Sequence, residues 1–160
     1  MNKTVIDSPI DKIAIFAENE KLIRLDLKTK ERADSVITEK VLLKAEKQLS
    51  EYFSGKRKTF ELEYEISGTE FQKSVWHELE KIPFGKTKTY GEIAKSIGKP
   101  KAGRAVGSAC NKNPLAIIVP CHRVIGVGGN LTAFACGTET KEWLLCHEEN
   151  LKGEPDENRI

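Results

Sequence analysis

The sequence has few of the side chains from which a metal site or a disulfide framework is built. It contains four cysteines and three histidines, none of them before His77, and no two cysteines form a C-x-x-C pair. The usual ligand spacing of a zinc site is therefore absent, and we predict no metal. The start, M-N-K-T-V-I-D-S-P, also lacks the apolar core of a signal peptide. We expect a protein with free thiols that is cytoplasmic in a prokaryote, or nuclear if the source is eukaryotic.

Long apolar runs and strong net charge are missing as well. No apolar run approaches the roughly 20 residues that a membrane-spanning helix needs, so no membrane partner is expected. The formal net charge is only +2, but it is unevenly distributed: seven basic residues and one acid, Glu92, lie between Lys86 and Lys112. Such a segment is typical of a surface that binds a polyanion, and the alternative is a solvated lysine face.

Hydrophobic periodicity divides the 160 residues into two parts near residue 68. In the first part, alternating apolar residues predict strands over 12–17 and 21–27 that form a hairpin. Helical spacing then predicts a helix over 37–53. Residues 60–66 are predicted to form another strand or an extended linker. This order of elements indicates a small α/β unit.

The second part carries local helix signals. Thr69 and Gln72 form a T-x-x-Q capping box, which predicts the start of a helix. A short helix is predicted from Thr89 or Tyr90 to Ile97, and after a turn a third helix follows to about Ala109. Two helices joined in this way are typical of a helix-turn-helix. A last amphipathic helix is predicted over residues 139–151.

We therefore expect an α+β protein with two domains and a tail. The N-terminal α/β domain spans residues 1–67, the C-terminal helical domain spans residues 68–152, and residues 153–160 form a mobile tail.

The second helix of the predicted pair consists almost entirely of small residues around one arginine, Arg104. Small side chains would let the helix backbone approach a narrow cleft such as the minor groove of DNA, which is only ~6 Å wide. The alternative is tight packing against another helix. The small residues are Ala102, Gly103, Ala105, Gly107 and Ser108.

The stretch I-I-V-P-C-H-R-V-I-G places Cys121, His122 and Arg123 in direct succession between apolar residues. A free cysteine titrates near about 8.5, and a neighbouring imidazole and guanidinium would lower that pKa. Adjacent side chains on a strand point to opposite faces, so contact requires the chain to turn, and Pro120 makes a turn possible. The alternative is a cysteine at a strand end without chemistry.

In its wider context this stretch resembles the active-site signature of the O6-alkylguanine-DNA alkyltransferases. The resemblance covers about residues 69 to 151, and the order P-C-H-R-V is its most specific part. The matching segments are N-P-L-A-I-I-V-P-C-H-R-V-I-G (113–126), F-Q-K-S-V-W (71–76), I-P-F-G-K-T-K-T-Y-G-E-I-A (82–94), R-A-V-G (104–107) and K-E-W-L-L (141–145).

The resemblance implies a ribonuclease H-like N-terminal domain and a winged helix-turn-helix-like C-terminal domain. It implies binding of double-stranded DNA through the minor groove, with Arg104 entering the base stack and the damaged nucleotide flipped out. The substrate would be O6-alkylguanine, with O4-alkylthymine left open. The protein would act as a monomer and without a cofactor, and it would act once, since an S-alkyl cysteine is not hydrolysed.

The resemblance also implies roles for individual residues. Cys121 would be the nucleophile, His122 would take its proton through a water molecule, and Glu148 would orient that histidine. Tyr90 would donate to the departing guanine and crowd the flanking phosphate, while Asn113 would brace the turn. The implied substrate pocket consists of Val124, Phe134, Ala135 and Cys136.

The pocket loop departs from the usual T-G-[FY]-x-G-G-L of this family. Ala133 and Cys136 stand where glycines are usual, and Thr138 stands in place of leucine. These changes are either tolerated or alter the range of alkyl groups accepted.

Two other functions compete with alkyl transfer. One is a non-enzymatic module that binds alkylated DNA, although such relatives lack the cysteine. The other is a cysteine hydrolase, which would need a more distant histidine. His77 and His147 carry no hydrolase motif around them.

Overall fold

The computed structural model describes residues 2–34, 36–37, 39–129 and 137–153. Their contacts separate two compact units, one built mainly from the chain up to Ile66 and one from Ser67 to Lys152. Most of the predicted tail, from residue 154, lies outside the described residues. None of the helices in the described ranges has the length and apolar character to cross a membrane.

The first unit is an antiparallel sheet with one helix on it. Strands β1 (Asn2–Ile6), β2 (Ile13–Glu18) and β3 (Lys21–Leu27) lie in chain order, and α1 (Lys40–Phe53) packs against all three. The residues of β2 from Ile13 to Ala17 are all buried, as expected for the central strand. The predicted strands and helix are confirmed, whereas β1 was not predicted.

The β2–β3 hairpin fixes where α1 begins. Its two turn residues, Asn19 and Glu20, have φ angles of 53° and 59°, which is the backbone of a two-residue type I′ turn. The Glu20 carboxylate accepts from the backbone N–H groups of Lys40 and Val41 at 3.2 and 3.0 Å. Because this cap comes from a distant part of the sequence, α1 begins at Lys40 rather than at the predicted residue 37.

Residues 60–66 form an extended linker rather than a strand. They contact the sheet through a single bridge between Leu22 and Tyr64. Two backbone hydrogen bonds hold the bridge, from Leu22 to the Glu63 carbonyl at 3.0 Å and from Glu65 to the Leu22 carbonyl at 2.9 Å.

The second unit is helical. Helices α2 (Glu70–Leu79), α3 (Tyr90–Ser96) and α4 (Gly103–Asn111) pack against one another, and α5 (Thr138–Leu151) packs on the turn that contains Cys121. The predicted helix-turn-helix is α3 and α4, so this prediction is confirmed.

Local capping starts two of these helices. Thr69 and Gln72 form the predicted capping box of α2, and Thr89 and Glu92 form a second box that starts α3. Thr89 also ends the short strand β4 (Lys88–Thr89), which pairs in parallel with β5 (Val124–Ile125). The start of α3 is therefore tied to the residues that follow Cys121.

A tryptophan joins α2 to α4. The Trp76 indole N–H donates to the Ala109 carbonyl at 2.9 Å, and its ring is buried. A Cβ atom at Gly68 would lie 2.5 Å from this ring, so only glycine fits where the chain enters α2.

Candidate active site

Cys121 lies in a sharp turn rather than at the end of a strand. The apolar run before it turns at Ile117, whose φ of 75° is rare for a β-branched residue. Cys121 is buried and begins a single turn of 3-10 helix that ends at Arg123. The Cys121 N–H donates to the Val119 carbonyl at 2.8 Å. The turn that Pro120 made possible is therefore present.

Asn113 braces this turn with both ends of its side-chain amide. Its Nδ2 donates to the Val119 carbonyl at 2.7 Å, and its Oδ1 accepts from the Leu115 N–H at 3.0 Å. Val119 is two residues before Cys121, so these hydrogen bonds hold the backbone that presents the thiol.

His122 is fully buried and is held by Glu148. Its Nε2 lies 2.7 Å from Oε2 of Glu148. Burial lowers the pKa of His122, and Arg123 and Lys141 add to this effect while Glu148 opposes it. A neutral imidazole in this position donates through Nε2–H and carries its lone pair on Nδ1. Nδ1 makes no hydrogen bond within the described part of the chain.

Glu148 is the anchor of this cluster. Arg123 donates to its two oxygens through Nε at 2.8 Å and Nη2 at 3.0 Å, and the Gly85 N–H approaches Oε1 at 3.2 Å. Burial by itself would raise the pKa of Glu148, but His122 and Arg123 hold that pKa well below its usual range. Glu148 is therefore an ionised carboxylate that fixes the tautomer of His122.

Arg123 serves this carboxylate through two of its donors. Its third side-chain hydrogen bond among the described residues runs from Nη1 to the Ile82 carbonyl at 2.7 Å. The sequence left open whether the guanidinium meets the thiol, and its hydrogen bonds among the described residues go to Glu148 and Ile82.

Tyr90 opens α3 beside the same site. Burial raises the pKa of Tyr90 to about 12, and the nearby charges of Cys110 and Cys121 raise it further, so its hydroxyl stays protonated. Lys141, which is 1% exposed, donates to the Tyr90 hydroxyl at 3.2 Å, and its Nζ lies 5.5 Å from the centre of the Tyr90 ring.

A surface groove of about 540 Å³ lies next to Tyr90, along α4. Arg104 is exposed on this helix. Among the described residues its side chain makes no hydrogen bond or ion pair. The groove is lined by Tyr90, Gly103, Arg104, Gly107, Ser108, Asn111 and Lys112.

The glycines of α4 are not explained by packing within the protein. A Cβ atom at Gly103 would meet nothing within 4 Å, and one at Gly107 would meet the Tyr90 ring at 3.7 Å, which is an ordinary contact. Each glycine weakens a helix by ~1 kcal/mol relative to alanine. Tight packing against another helix therefore does not explain the glycines at these two positions. The other explanation, a partner outside the protein that approaches the helix backbone, is the one that fits.

The other predicted site residues are distributed as follows. Val124 is buried next to the turn, while Ala102 and Ala105 lie at the start of α4, where Ala105 is exposed. The implied pocket residues Phe134, Ala135 and Cys136, and the altered position Ala133, lie outside the described residues. Within the described ranges, no group of three or more potential metal ligands occurs.

The sequence-based reasoning missed three contributors to the site: the guanidinium of Arg123 as the clamp of Glu148, the backbone of Gly85 and the ammonium of Lys141. A Cβ atom at Gly85 would lie 2.5 Å from Cβ of Lys152, and its φ is 80°, so glycine is needed where the N–H reaches Glu148. Lys141 stands in the matching segment K-E-W-L-L but received no role there.

A sheet-and-helix unit followed by a helix-turn-helix unit with a buried Cys-His-Glu cluster defines a class of two-domain proteins that join a helix-turn-helix to a cysteine site. Residues 1–66 match the family model described as the ribonuclease-like domain of 6-O-methylguanine DNA methyltransferase, and residues 70–150 match the model of its DNA binding domain. This chain belongs to the 6-O-methylguanine DNA methyltransferase family, which confirms the resemblance.

Individual relatives agree with this assignment. A methylated-DNA–protein-cysteine methyltransferase of Methanosarcina barkeri is 52% identical over 91% of this chain and 96% of its own length. The constitutive methylated-DNA–protein-cysteine methyltransferase of Bacillus subtilis is 42% identical over 89% of this chain and 92% of its own length. The crystal structure of Mycobacterium tuberculosis OGT in complex with DNA is similar with a TM-score of 0.86 and 41% identity, over 94% of both chains.

Proposed function

We propose that this protein repairs DNA by direct reversal, taking the alkyl group of O6-alkylguanine irreversibly onto Cys121. The relatives at 42–52% identity carry the name of this activity over most of the chain. The observation that carries the proposal is the state of His122: Glu148 holds its Nε2–H, so the lone pair of Nδ1 can act as a base in the turn that begins with Cys121.

The transfer is a single displacement. His122 removes the thiol proton through a water molecule, and the sulfur of Cys121 attacks the alkyl carbon. The bond between that carbon and the guanine oxygen breaks, and Tyr90 protonates the departing base, so that guanine does not leave as an anion. The product is a thioether, and no group in the cluster can hydrolyse it. Each molecule therefore acts once.

The α4 groove is the proposed minor-groove surface for double-stranded DNA. Arg104 would enter the base stack, and the bare backbone at Gly103 and Gly107 would lie against the groove walls. A flipped nucleotide would then reach Cys121 past Tyr90. We expect the protein to act as a monomer in the cytoplasm.

Intact-protein mass spectrometry tests the proposal. After incubation with duplex DNA that carries O6-methylguanine, we expect one mass increment of a methylene group per protein molecule, and no increment in Cys121→Ser. Cys146→Ser, which changes an exposed cysteine, is the matched control and should still be methylated. Binding without a mass change would instead support a lesion-binding module, and multiple turnovers would support a hydrolase.

The proton relay has its own test. Glu148→Gln should slow methyl transfer, because the neutral amide no longer raises the basicity of His122, while DNA affinity stays close to that of the wild type. The rate–pH profile should move to higher pH in this variant. An identical profile in the two proteins would contradict the relay.

A further inference from the structure

Three polar side chains form one row along the exposed face of α4. Arg104, Ser108 and Asn111 are spaced four and three residues apart, which places them on the same side of the helix. All three are exposed, and all three line the groove of about 540 Å³ next to Tyr90. Arg104 has a role in the function proposed above, whereas Ser108 and Asn111 have none.

The side chains of Ser108 and Asn111 are not used by the protein itself. A serine in a helix can donate to a carbonyl of the preceding turn, as Ser74 in α2 and Ser96 in α3 do at 2.7 and 3.0 Å. Within the described part of the chain, the Ser108 hydroxyl makes no such bond, and the Asn111 amide makes no side-chain hydrogen bond either. Both therefore keep their hydrogen-bonding groups available to a partner in the groove.

The two uncharged side chains lie between two cations. Arg104 begins the row, Lys112 follows directly after Asn111, and none of the described residues that line the groove is a carboxylate. Cationic side chains pair with phosphates, which position a protein on DNA without reading its sequence. Hydroxyl and amide groups can instead pair with the edges of bases, where the sequence is read.

The floor of the minor groove offers little for such groups to distinguish. Every base pair presents hydrogen-bond acceptors there, and a G·C pair adds one donor, the amino group on guanine N2. Because Gly103 and Gly107 carry no Cβ atom, α4 can approach this floor closely. The Ser108 hydroxyl can donate at any base pair. The Asn111 amide contains both a donor and an acceptor, so only a G·C pair satisfies both of them.

We propose that Asn111 reads a base pair beside the lesion and makes repair faster where that pair contains guanine. This inference rests on the proposed function, because it places Arg104 in the base stack at the damaged nucleotide. A helix rises 1.5 Å per residue, so Asn111 lies about 10 Å beyond Arg104 along the axis. For a helix that follows the groove, a spacing of ~3.4 Å per base pair puts Asn111 about three pairs from the lesion, on one side only.

Duplexes that differ in the position of one G·C pair measure this register. Each duplex carries O6-methylguanine at the same place in an A·T-rich sequence, and the G·C pair moves one step at a time on either side of it. The readout is the single-turnover rate of methyl transfer below saturation. We expect one position, about three pairs from the lesion, to react about threefold to tenfold faster, as one or two added hydrogen bonds would give. Equal rates at every position would overturn the inference.

Two base analogues separate the amino group from the stability of the base pair. Inosine lacks the N2 amino group of guanine, and 2,6-diaminopurine adds this group to adenine. At the preferred position, inosine opposite cytosine should abolish the advantage, and diaminopurine opposite thymine should restore it. Inosine weakens its pair and diaminopurine strengthens it, so an effect of easier base flipping would have the opposite sign. Faster repair with inosine would therefore overturn the assignment to the amino group.

Substitutions on α4 connect the preference to one side chain. Asn111→Ala should react at the same rate for every position of the G·C pair. Ser108→Ala should react more slowly on all duplexes and keep the preference. Asn150→Ala, which changes an exposed asparagine of α5, is the matched control and should keep both the rate and the preference. A preference that persists in Asn111→Ala would overturn the role of this residue.

Binding measurements distinguish failure of this inference from failure of the proposed function. Cys121→Ser is expected not to be methylated, and its affinity for the same duplexes, measured by fluorescence anisotropy, should show the same preferred position. Methyl transfer with equal rates and equal affinities on all duplexes would refute the reading by Asn111 and leave the repair function intact. Absence of transfer from every duplex by the wild type would contradict the proposed function instead.

Discussion

Arg123 and Glu148 form a buried two-point ion pair, with Nε and Nη2 of the guanidinium 2.8 and 3.0 Å from the two carboxylate oxygens. The same carboxylate holds His122, so the geometry of the base depends on Arg123 as well. Loss of either member of such a buried pair leaves the other without compensation.

The first prediction concerns this pair. Arg123→Met should lower the free energy of unfolding of the second unit by about 3–5 kcal/mol, because it leaves Glu148 buried and partly unpaired. Lys81→Met breaks the exposed Lys81–Glu78 pair and should cost less than about 1 kcal/mol. Urea unfolding followed by tryptophan fluorescence measures both, since the two tryptophans lie in this unit. Similar losses in the two variants would contradict the structural importance of the pair.

The second prediction is a loss of stability on acidification in two steps. The pKa of His122 is lowered by burial, so between that value and about 6.5 only the unfolded chain binds the proton, and stability falls as the pH drops below about 6.5. The pKa of Glu148 is also lowered, so its contribution to the free energy of unfolding is fully present above about pH 4.3 and is lost as the pH falls further.

Urea unfolding between pH 7 and pH 2 measures the first step and the beginning of the second. His122→Gln should remove the first step, whereas His77→Gln, a change at an exposed histidine, should leave it intact. If the free energy of unfolding of the wild type stayed constant from pH 7 to pH 5, the pKa of His122 would be the same in the folded and unfolded chain, which contradicts this prediction.

The third prediction concerns Arg104. Arg104→Ala should slow repair of duplex DNA by about tenfold to a hundredfold, because base flipping costs a few kcal/mol that an inserted side chain offsets. Reaction with free O6-benzylguanine should change little. Arg24→Ala, which removes an exposed arginine of the first unit, should leave both rates unchanged. Equal losses on the duplex and the free base would remove insertion of Arg104 from the mechanism.

The fourth prediction concerns the brace of the turn. Asn113→Ala leaves the Val119 carbonyl and the Leu115 N–H without their side-chain partner, which should cost about 1–3 kcal/mol and slow methyl transfer. Asn111→Ala, at an exposed asparagine two residues earlier, should stay within about 0.5 kcal/mol in stability. Transfer at the wild-type rate in Asn113→Ala would show that the turn keeps its shape unaided.

Elements with local signals were predictable from the sequence. The start of α2 follows from Thr69 and Gln72, which lie within one helical turn of each other and form the observed box. The start of α1 could not be placed, because its cap is the side chain of Glu20 on a separate hairpin. Strand β1 was missed for a similar reason: a five-residue strand is defined by its pairing with β2 more than by its own sequence.

The candidate site shows the same division between local and distant information. Cys121, His122 and Asn113 fall within one short segment, and the family resemblance adds Glu148 to them. The partners of Arg123 and Lys141 are 25 and 51 residues away in the chain, so only the fold reveals whether each charge faces the thiol, a carboxylate or a phenol.

The short parallel ladder of β4 and β5 joins the segment that follows Cys121 to the helix pair α3 and α4, which begins at Tyr90. Lys88 pairs with Val124, three residues after Cys121, and Thr89 both ends β4 and caps α3. An alkyl group that stays on the sulfur adds volume to a closely packed turn, and we expect any displacement of that turn to reach the start of the helix-turn-helix through these two residue pairs.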